Sequence, residues 1–163
     1  MIELSIIVIV LLIAVSLFRG APYVPTQRKQ VEIALDLLQV QPGEVVVDLG
    51  SGDGVFLKAA AKRGLIAYGI EINPLLCMIA WLRCWQYRRQ VHIQWGDMWL
   101  MPLPPHTKGI FVFSGGPFIA RLSRKLISEA KNCKIVSYGF HLPDFILITA
   151  KAGLNLYRSS NTD

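Results

Sequence analysis

The hydrophobic pattern of this chain has two regimes. From Leu4 to Phe18 it reads LSIIVIVLLIAVSLF, apolar on every face, uncharged, and interrupted only by Ser5 and Ser16. As a helix this run reaches roughly 22 Å, and close to 30 Å when taken from Ile2 to Ala21, a marginal bilayer span. A helix buried in a soluble core would show a stripe instead. A cleaved secretory signal would carry basic residues before the run and a small-x-small site after it. Neither Met1-Ile2-Glu3 nor Phe18-Arg19-Gly20-Ala21-Pro22 supplies these. The pattern therefore predicts an uncleaved transmembrane anchor over residues 1–20, in contact with the lipid bilayer through residues 4–18. Arg19, Arg28 and Lys29 follow the run and only Glu3 precedes it. The positive-inside rule then places the following domain, residues 21–163, on the cytoplasmic side of a single-pass arrangement.

Beyond the anchor, short apolar runs alternate with helical spacing. Pro22-Tyr23-Val24-Pro25 is an extended linker, and Thr26 is predicted to cap a helix over about 27–40 with Val31, Ala34, Leu35 and Leu38 inward. Val45–Leu49 reads as a buried parallel strand, followed by the turn Gly50-Ser51-Gly52-Asp53-Gly54 and a helix over Val55–Arg63. Strand Ile66–Glu71, a helix of about fifteen residues from Leu75, and strand Val91–Trp95 come next. Strand Ile110–Phe113, the turn Ser114–Pro117, and a helix over Phe118–Lys131 with a basic face of Arg121, Arg124 and Lys125 follow. Strand Ile135–Tyr138 and a hairpin of Ile146–Thr149 with Leu154–Tyr157 about Ala152-Gly153 close the chain. Strands alternating with helices imply a right-handed, mostly parallel α/β sheet with an antiparallel edge, and ligands beyond the carboxyl ends of its strands.

Composition narrows the choice. With 163 residues, 53% hydrophobic and 17% charged, the chain is neither disordered nor polytopic. Three cysteines support no disulfide framework; Cys77 and Cys84, seven apart on one helix, are expected to face the core. The histidines 92, 106 and 141 show no ligand spacing with them, so no metal site is expected. The tryptophans 81, 85, 95 and 99 are expected to pack internally. The net charge of +6 suits an anionic lipid surface; no Lys/Arg-rich run with interleaved aromatics points to nucleic acid.

Three strand-end features carry the chemistry. Asp48 stands two residues before Gly50 in Asp48-Leu49-Gly50-Ser51-Gly52-Asp53-Gly54, and the glycine spacing differs from the dinucleotide fingerprint. A carboxylate at such a turn repels pyrophosphate and attracts an ammonium. Glu71, 23 residues after Asp48, ends the second strand at the spacing of a ribose-binding acid. Asp97, after Gly96 at the end of the third strand, is placed to receive an adenine amino group. A ligand with an amino-acid end and a nucleoside end fits all three, which is S-adenosylmethionine.

With these motifs the chain resembles the class I, seven-β-strand S-adenosylmethionine-dependent methyltransferases. The resemblance covers about residues 22–158 and implies a Rossmann-like three-layer sandwich with a mostly parallel seven-stranded sheet. It also implies cofactor contacts at Asp48, Gly50, Ser51, Gly52, Gly54, Glu71, Ile72 and Asp97. Pro22-Tyr23-Val24-Pro25-Thr26 behind a hydrophobic anchor, and Ile135-Val136-Ser137-Tyr138-Gly139-Phe140 followed by Pro143, are similar to the small membrane-anchored methyltransferases that modify lysine in the adenine nucleotide translocase and in the c-subunit of ATP synthase. That likeness implies a protein lysine as methyl acceptor. Phe113-Ser114-Gly115-Gly116-Pro117 departs from the Asn-Pro-Pro-Tyr-type signature of methylation on bases and glutamine. The substrate rim is assigned to Tyr23, Thr26 and the turn at Ser114; His141 and Asp144 are candidates to assist deprotonation, with no dedicated base named. A lipid or quinone-like acceptor, or a non-catalytic membrane-tethered scaffold, are the alternatives the residues leave open.

Overall fold

The computed structural model describes residues 26–113 and 118–159. The apolar run 4–18, Tyr23 and the Ser114–Pro117 turn lie outside them. Among the described residues no helix is long and apolar enough to cross a membrane.

Helix α1 (Arg28–Leu38) buries Val31, Ala34, Leu35 and Leu38, the stripe its spacing predicts. Its N-cap, however, is Gln27, with no side-chain cap bond, so Thr26 does not cap it. The helix also ends before residue 40: Gln39 turns left-handed at φ 49°, with Pro42 soon after to bar continuation. Strand β1 (Val45–Leu49) leads into α2 (Val55–Lys62) and β2 (Ile66–Glu71). Helix α3 (Pro74–Arg83) starts on Asn73, whose Oδ1 accepts from the amides of Leu75 and Leu76, with Pro74 pre-set for the first turn. It is ten residues rather than fifteen. Buried Cys84, whose Sγ reaches the Gly54 carbonyl, closes it, and a 3-10 turn at Trp85–Tyr87 redirects the chain into β3 (Val91–Trp95). Then come β4 (Thr107–Val112), α4 (Ile119–Glu129), β5 (Lys134–Tyr138), β6 (Ile146–Lys151) and β7 (Leu154–Arg158). Strand β4 begins earlier than its apolar run because Gly109 leaves room for Val40 and Val46, which a Cβ would crowd at 2.9 and 3.2 Å.

The seven strands form one sheet in the order β3-β2-β1-β4-β5-β7-β6, parallel except for β7 and the edge strand β6. Asp48 is in register with Gly69 of β2 and Phe111 of β4, so the carboxyl ends of the parallel strands share one edge. On one face α1 and α2 cover a core in which the Phe56 and Phe111 rings stack 4.7 Å apart; α3 flanks α2 over β2 and β3. On the other, α4 and the segment 98–103 cover Val47, Ile110 and Tyr157. Lys125 belongs to that packing, not to a solvated basic face. It is buried, and its ammonium donates to the Met101 carbonyl at 2.7 Å and to Glu129 Oε1 at 2.6 Å. Glu129 Oε2 in turn accepts from the Leu103 amide, so one ion pair ties the proline-rich segment to α4.

Two expectations about large side chains fail. Trp81 and Trp85 are exposed rather than packed inside, because α3 turns its small residues, Ala80 and Cys84, toward the sheet, and Trp95 is exposed at the end of the edge strand β3. Cys77 is only half-buried, although Cys84 is in the core. Strand β6 is exposed along its whole length, as an edge strand packed by neither helical layer.

The Phe56–Phe111 stack joins α2 to the centre of the sheet. Phe111→Ala is expected to lower unfolding free energy by about 3–5 kcal/mol, the range for truncating a buried aromatic, as read from a urea denaturation midpoint at unchanged slope.

Candidate active site

The edge formed by the carboxyl ends of β1, β2 and β3 is organised by one side chain. Glu71 Oε2 accepts from the Gly52 amide at 2.9 Å and Oε1 from the Asn73 amide at 2.8 Å, so one carboxylate holds the turn after β1 and the start of α3. The amides of Gly50 and Ser51 donate to the Ile70 carbonyl, and Gly96 donates to the Glu71 carbonyl. The turns after three adjacent strands are thereby tied to the end of β2.

The glycines of the first turn do different work. Gly50, Gly52 and Gly54 have φ of 81°, 53° and 78°, a region side chains avoid. A Cβ on Gly50 would project into open space, leaving main chain bare for a ligand to approach. A Cβ on Gly54 would lie 2.8 Å from that of Ala80, so this glycine serves the contact between α2 and α3.

Asp48 sits beneath this turn and is 4% exposed. Burial, then the charges of Glu71 and Asp53, push its carboxyl well above the usual carboxylate range. Asp53 is neutralised by Arg83 at 2.5 Å, but among the described residues no cation pairs with Asp48 or Glu71. The Ser51 hydroxyl is buried without a partner. This edge of the sheet combines carboxylates without a partner cation, a bared main chain and an orphaned hydroxyl, and suits a ligand that brings a cation and its own donors. The donor set of an amino-acid end at Asp48 and a ribose at Glu71 fits it.

The remaining candidates are placed as follows. Asp97, half-buried, accepts the Trp99 amide on Oδ1 at 2.9 Å and the amides of Leu100 and Met101 on its carbonyl, which leaves Oδ2 for a further donor. Ile72 is half-buried at the rim, its carbonyl taken by Trp95 Nε1 at 3.0 Å. His141, exposed after β5, has Nδ1 2.9 Å from the Tyr157 hydroxyl, which accepts from the Leu142 amide. Asp144 is exposed beyond it, and Thr26 is half-buried just ahead of α1. Tyr23 and Ser114 lie outside the described residues. Among the described residues no cluster of three or more His, Cys, Asp or Glu could hold a metal ion.

Sequence reasoning missed four participants. Gly69 lines the pocket floor: a Cβ there would come within 2.5 Å of Leu57 Cδ1 and 2.6 Å of Ser51 Oγ. A glycine inside a strand, two residues before its terminal acid, was the available signal. Arg83 had none, because its partner Asp53 is 30 residues away. The half-buried rings of Phe113 and Tyr138, 4.6 Å apart at the ends of β4 and β5, extend the edge with an aromatic wall.

Sheet order, glycine turn and strand-end acids together define the class I methyltransferase fold. An RNA methyltransferase from Salinibacter ruber, solved with S-adenosyl-L-homocysteine, superposes with a TM-score of 0.74 at 25% identity, covering 83% of this chain and 92% of that one. A SAM-dependent methyltransferase from Geobacter sulfurreducens, also solved with S-adenosyl-L-homocysteine, superposes at 0.61 over 82% of this chain and 57% of its own, at 20% identity. Within that class, residues 48–148 match the family described as ANTKMT methyltransferase domain, and this chain belongs to that family. It is 31% identical over 128 residues to the ATP synthase c-subunit lysine N-methyltransferase of Xenopus laevis, covering 77% of this chain and 56% of the relative. To the adenine nucleotide translocase lysine N-methyltransferase of Mus musculus it is 36% identical over 126 residues, covering 75% and 54%. The chain spans about half the length of the curated relatives it matches.

The buried charge at Asp48 has a consequence for stability. A carboxyl whose native pKa is raised loses folding stability as pH climbs from the unfolded value near 4 through the native one. Asp48→Asn is expected to raise the melting temperature of the ligand-free protein at pH 7 and to leave it unchanged below about pH 3, where both side chains are neutral. Thermal scans across that range check this; an equal effect at both ends would show that charge is not the cause.

Proposed function

We propose that this chain is an S-adenosylmethionine-dependent methyltransferase that methylates a lysine ε-amine on a membrane-proximal protein. The observation that carries the reading is the buried, unpaired Asp48 beneath a bared glycine turn, one strand from Glu71. Asp48 would hold the ammonium of the methionine end, Glu71 the ribose hydroxyls and Asp97 the adenine amine, while Gly50, Ser51, Gly52, Gly54 and Ile72 line the path between them. The cofactor supplies an electrophilic sulfonium methyl, so the chain has to bind, orient and exclude water rather than activate an electrophile.

The acceptor amine must be neutral to attack. A rim of apolar and aromatic groups disfavours its ammonium form; Phe113 and Tyr138 supply such a wall, and the sequence assigns Tyr23, Thr26 and Ser114 to the rest of the rim. His141, fixed by the Tyr157 hydroxyl, is the nearest titratable group to follow β5 and is a candidate proton acceptor. The lysine assignment is supported by the names of the relatives. The tether is supported by the sequence of residues 4–18, with the folded domain on the cytoplasmic side.

Calorimetric titration of S-adenosylmethionine into the full chain is expected to show micromolar-range binding. Asp48→Ala and Glu71→Ala should each weaken it about tenfold or more, the scale of a lost charged hydrogen bond. Folded protein that shows neither heat nor thermal shift would leave the scaffold reading in its place. With labelled cofactor and native membranes, label should enter protein lysine; label in the lipid extract would move the acceptor to a lipid or quinone-like molecule. Alkaline extraction should leave the full chain with the membrane pellet.

A further inference from the structure

Helix α3 is built inside out. At 100° per residue, Leu75, Met78, Ile79, Trp81 and Leu82 cover an arc of roughly 160°, and every one of them is exposed, as is Trp85 in the turn that follows. Leu82 is 61% exposed and Trp81 49%. The residues facing the sheet are the small Ala80 and Cys84, so the helix turns its large side chains to solvent. Contiguous apolar surface of this kind marks an interaction site.

Charge beside the helix identifies what it meets. The helices α1, α2 and α3, with the turns before and after α2 and after α3, carry eight cations (Arg28, Lys29, Lys58, Lys62, Arg63, Arg83, Arg88, Arg89) against Glu32, Asp36 and Asp53. Those three acids are already engaged: Glu32 and Asp36 with Arg63, Asp53 with Arg83. Arg28, Lys58 and Lys62 have no ion pair among the described residues, and together with the ion-paired Glu32 and Arg83 they line a groove of about 320 Å³ along this layer. Trp81 and Trp85 meet edge to face at 4.4 Å, and the Arg88 guanidinium lies 5.3 Å over the Trp85 ring. A convex apolar ridge edged by tryptophan and arginine, beside a groove with surplus basic charge, has the make-up of an interfacial helix on anionic lipid. A groove-binding peptide would want a concave apolar surface, which this is not.

Chain continuity agrees. Seven residues separate Phe18 from Thr26, a reach of about 25 Å at most, and α1 then enters with Arg28 in the basic groove.

We infer that the exposed face of α3 and the adjoining groove with Arg28, Lys58 and Lys62 dock onto an anionic phospholipid bilayer, the helix lying in the interface and these cations on phosphate headgroups. Glu71 holds the Asn73 amide at the start of this helix, so docking sets the cofactor edge of the sheet at the membrane surface. The inference builds on the tether read from residues 4–18, and its test separates the two.

The full chain is mixed with phosphatidylcholine vesicles with and without phosphatidylglycerol, with acyl-brominated lipid as a tryptophan quencher. On anionic vesicles, tryptophan emission should be quenched and amides of residues 74–85 protected from hydrogen exchange. Met78→Glu with Leu82→Glu, both at exposed positions, should abolish both signals while alkaline extraction still retains the chain. Lys58→Gln and Lys62→Gln should each lower the affinity for anionic vesicles about fivefold. Retention on extraction without quenching overturns the docking and spares the tether. Quenching without retention does the reverse. Concentration-dependent dimerisation abolished by Leu82→Glu, without quenching, assigns the face to a second copy and also overturns the docking.

Discussion

The Glu71 carboxylate is the constraint on which the site depends. Each of its oxygens accepts a main-chain amide, one from the glycine turn after β1 and one from the entry to α3, while its own carbonyl receives Gly96 from the turn after β3. Three loops that have no reason of their own to stay in register are thus fixed at the end of β2. A carboxylate has more lone pairs than two amides use, so the same group can organise the crevice and still meet a hydroxyl. A neutral side chain of the same size would hold neither amide as firmly, since charge-assisted bonds are the stronger ones.

Around that clamp, charge is distributed unevenly and to a purpose. Asp53 is satisfied within the protein by Arg83; Asp48, two residues before Gly50, is buried with no cation to offset it among the described residues. An uncompensated buried carboxylate destabilises the fold, and under the proposed function the ammonium of the ligand would relieve it. The site is therefore held at some cost in stability for binding that the empty fold does not enjoy.

The two helical layers solve different problems. The layer with α4 is closed: Lys125 and Glu129 draw in the segment after β3, and Arg121 covers the Trp99 ring at 4.6 Å. The layer with α3 is left open, its large apolar side chains turned out and Arg28, Lys58 and Lys62 without an ion pair among the described residues. That asymmetry gives one face of the domain the chemistry of a lipid surface.

Much of this was legible in the sequence, and for identifiable reasons. Strand β1, Val45–Leu49, and strand β2, Ile66–Glu71, announce themselves as β-branched or apolar runs stopped by glycine and asparagine-proline punctuation, because a parallel strand buried on both faces has no alternation to read. Asp48, Glu71 and Asp97 were legible because each is fixed by its distance from a strand end, and strand ends share an edge in this topology. Long-range pairings were not. That Lys125 is a buried strut rather than a surface charge depends on Met101, 24 residues away, and that Arg83 cancels Asp53 depends on a partner 30 residues away. Nor did the apolar spacing of α3 say which way it faces. Met78, Trp81, Leu82 and Trp85 look like a core stripe, and only the packing of Ala80 and Cys84 against the neighbouring elements turned that stripe outward. Sequence determines which side chains a helix has on each face; the fold decides which of those faces finds a neighbour, because that choice belongs to the space between elements and not to any one of them.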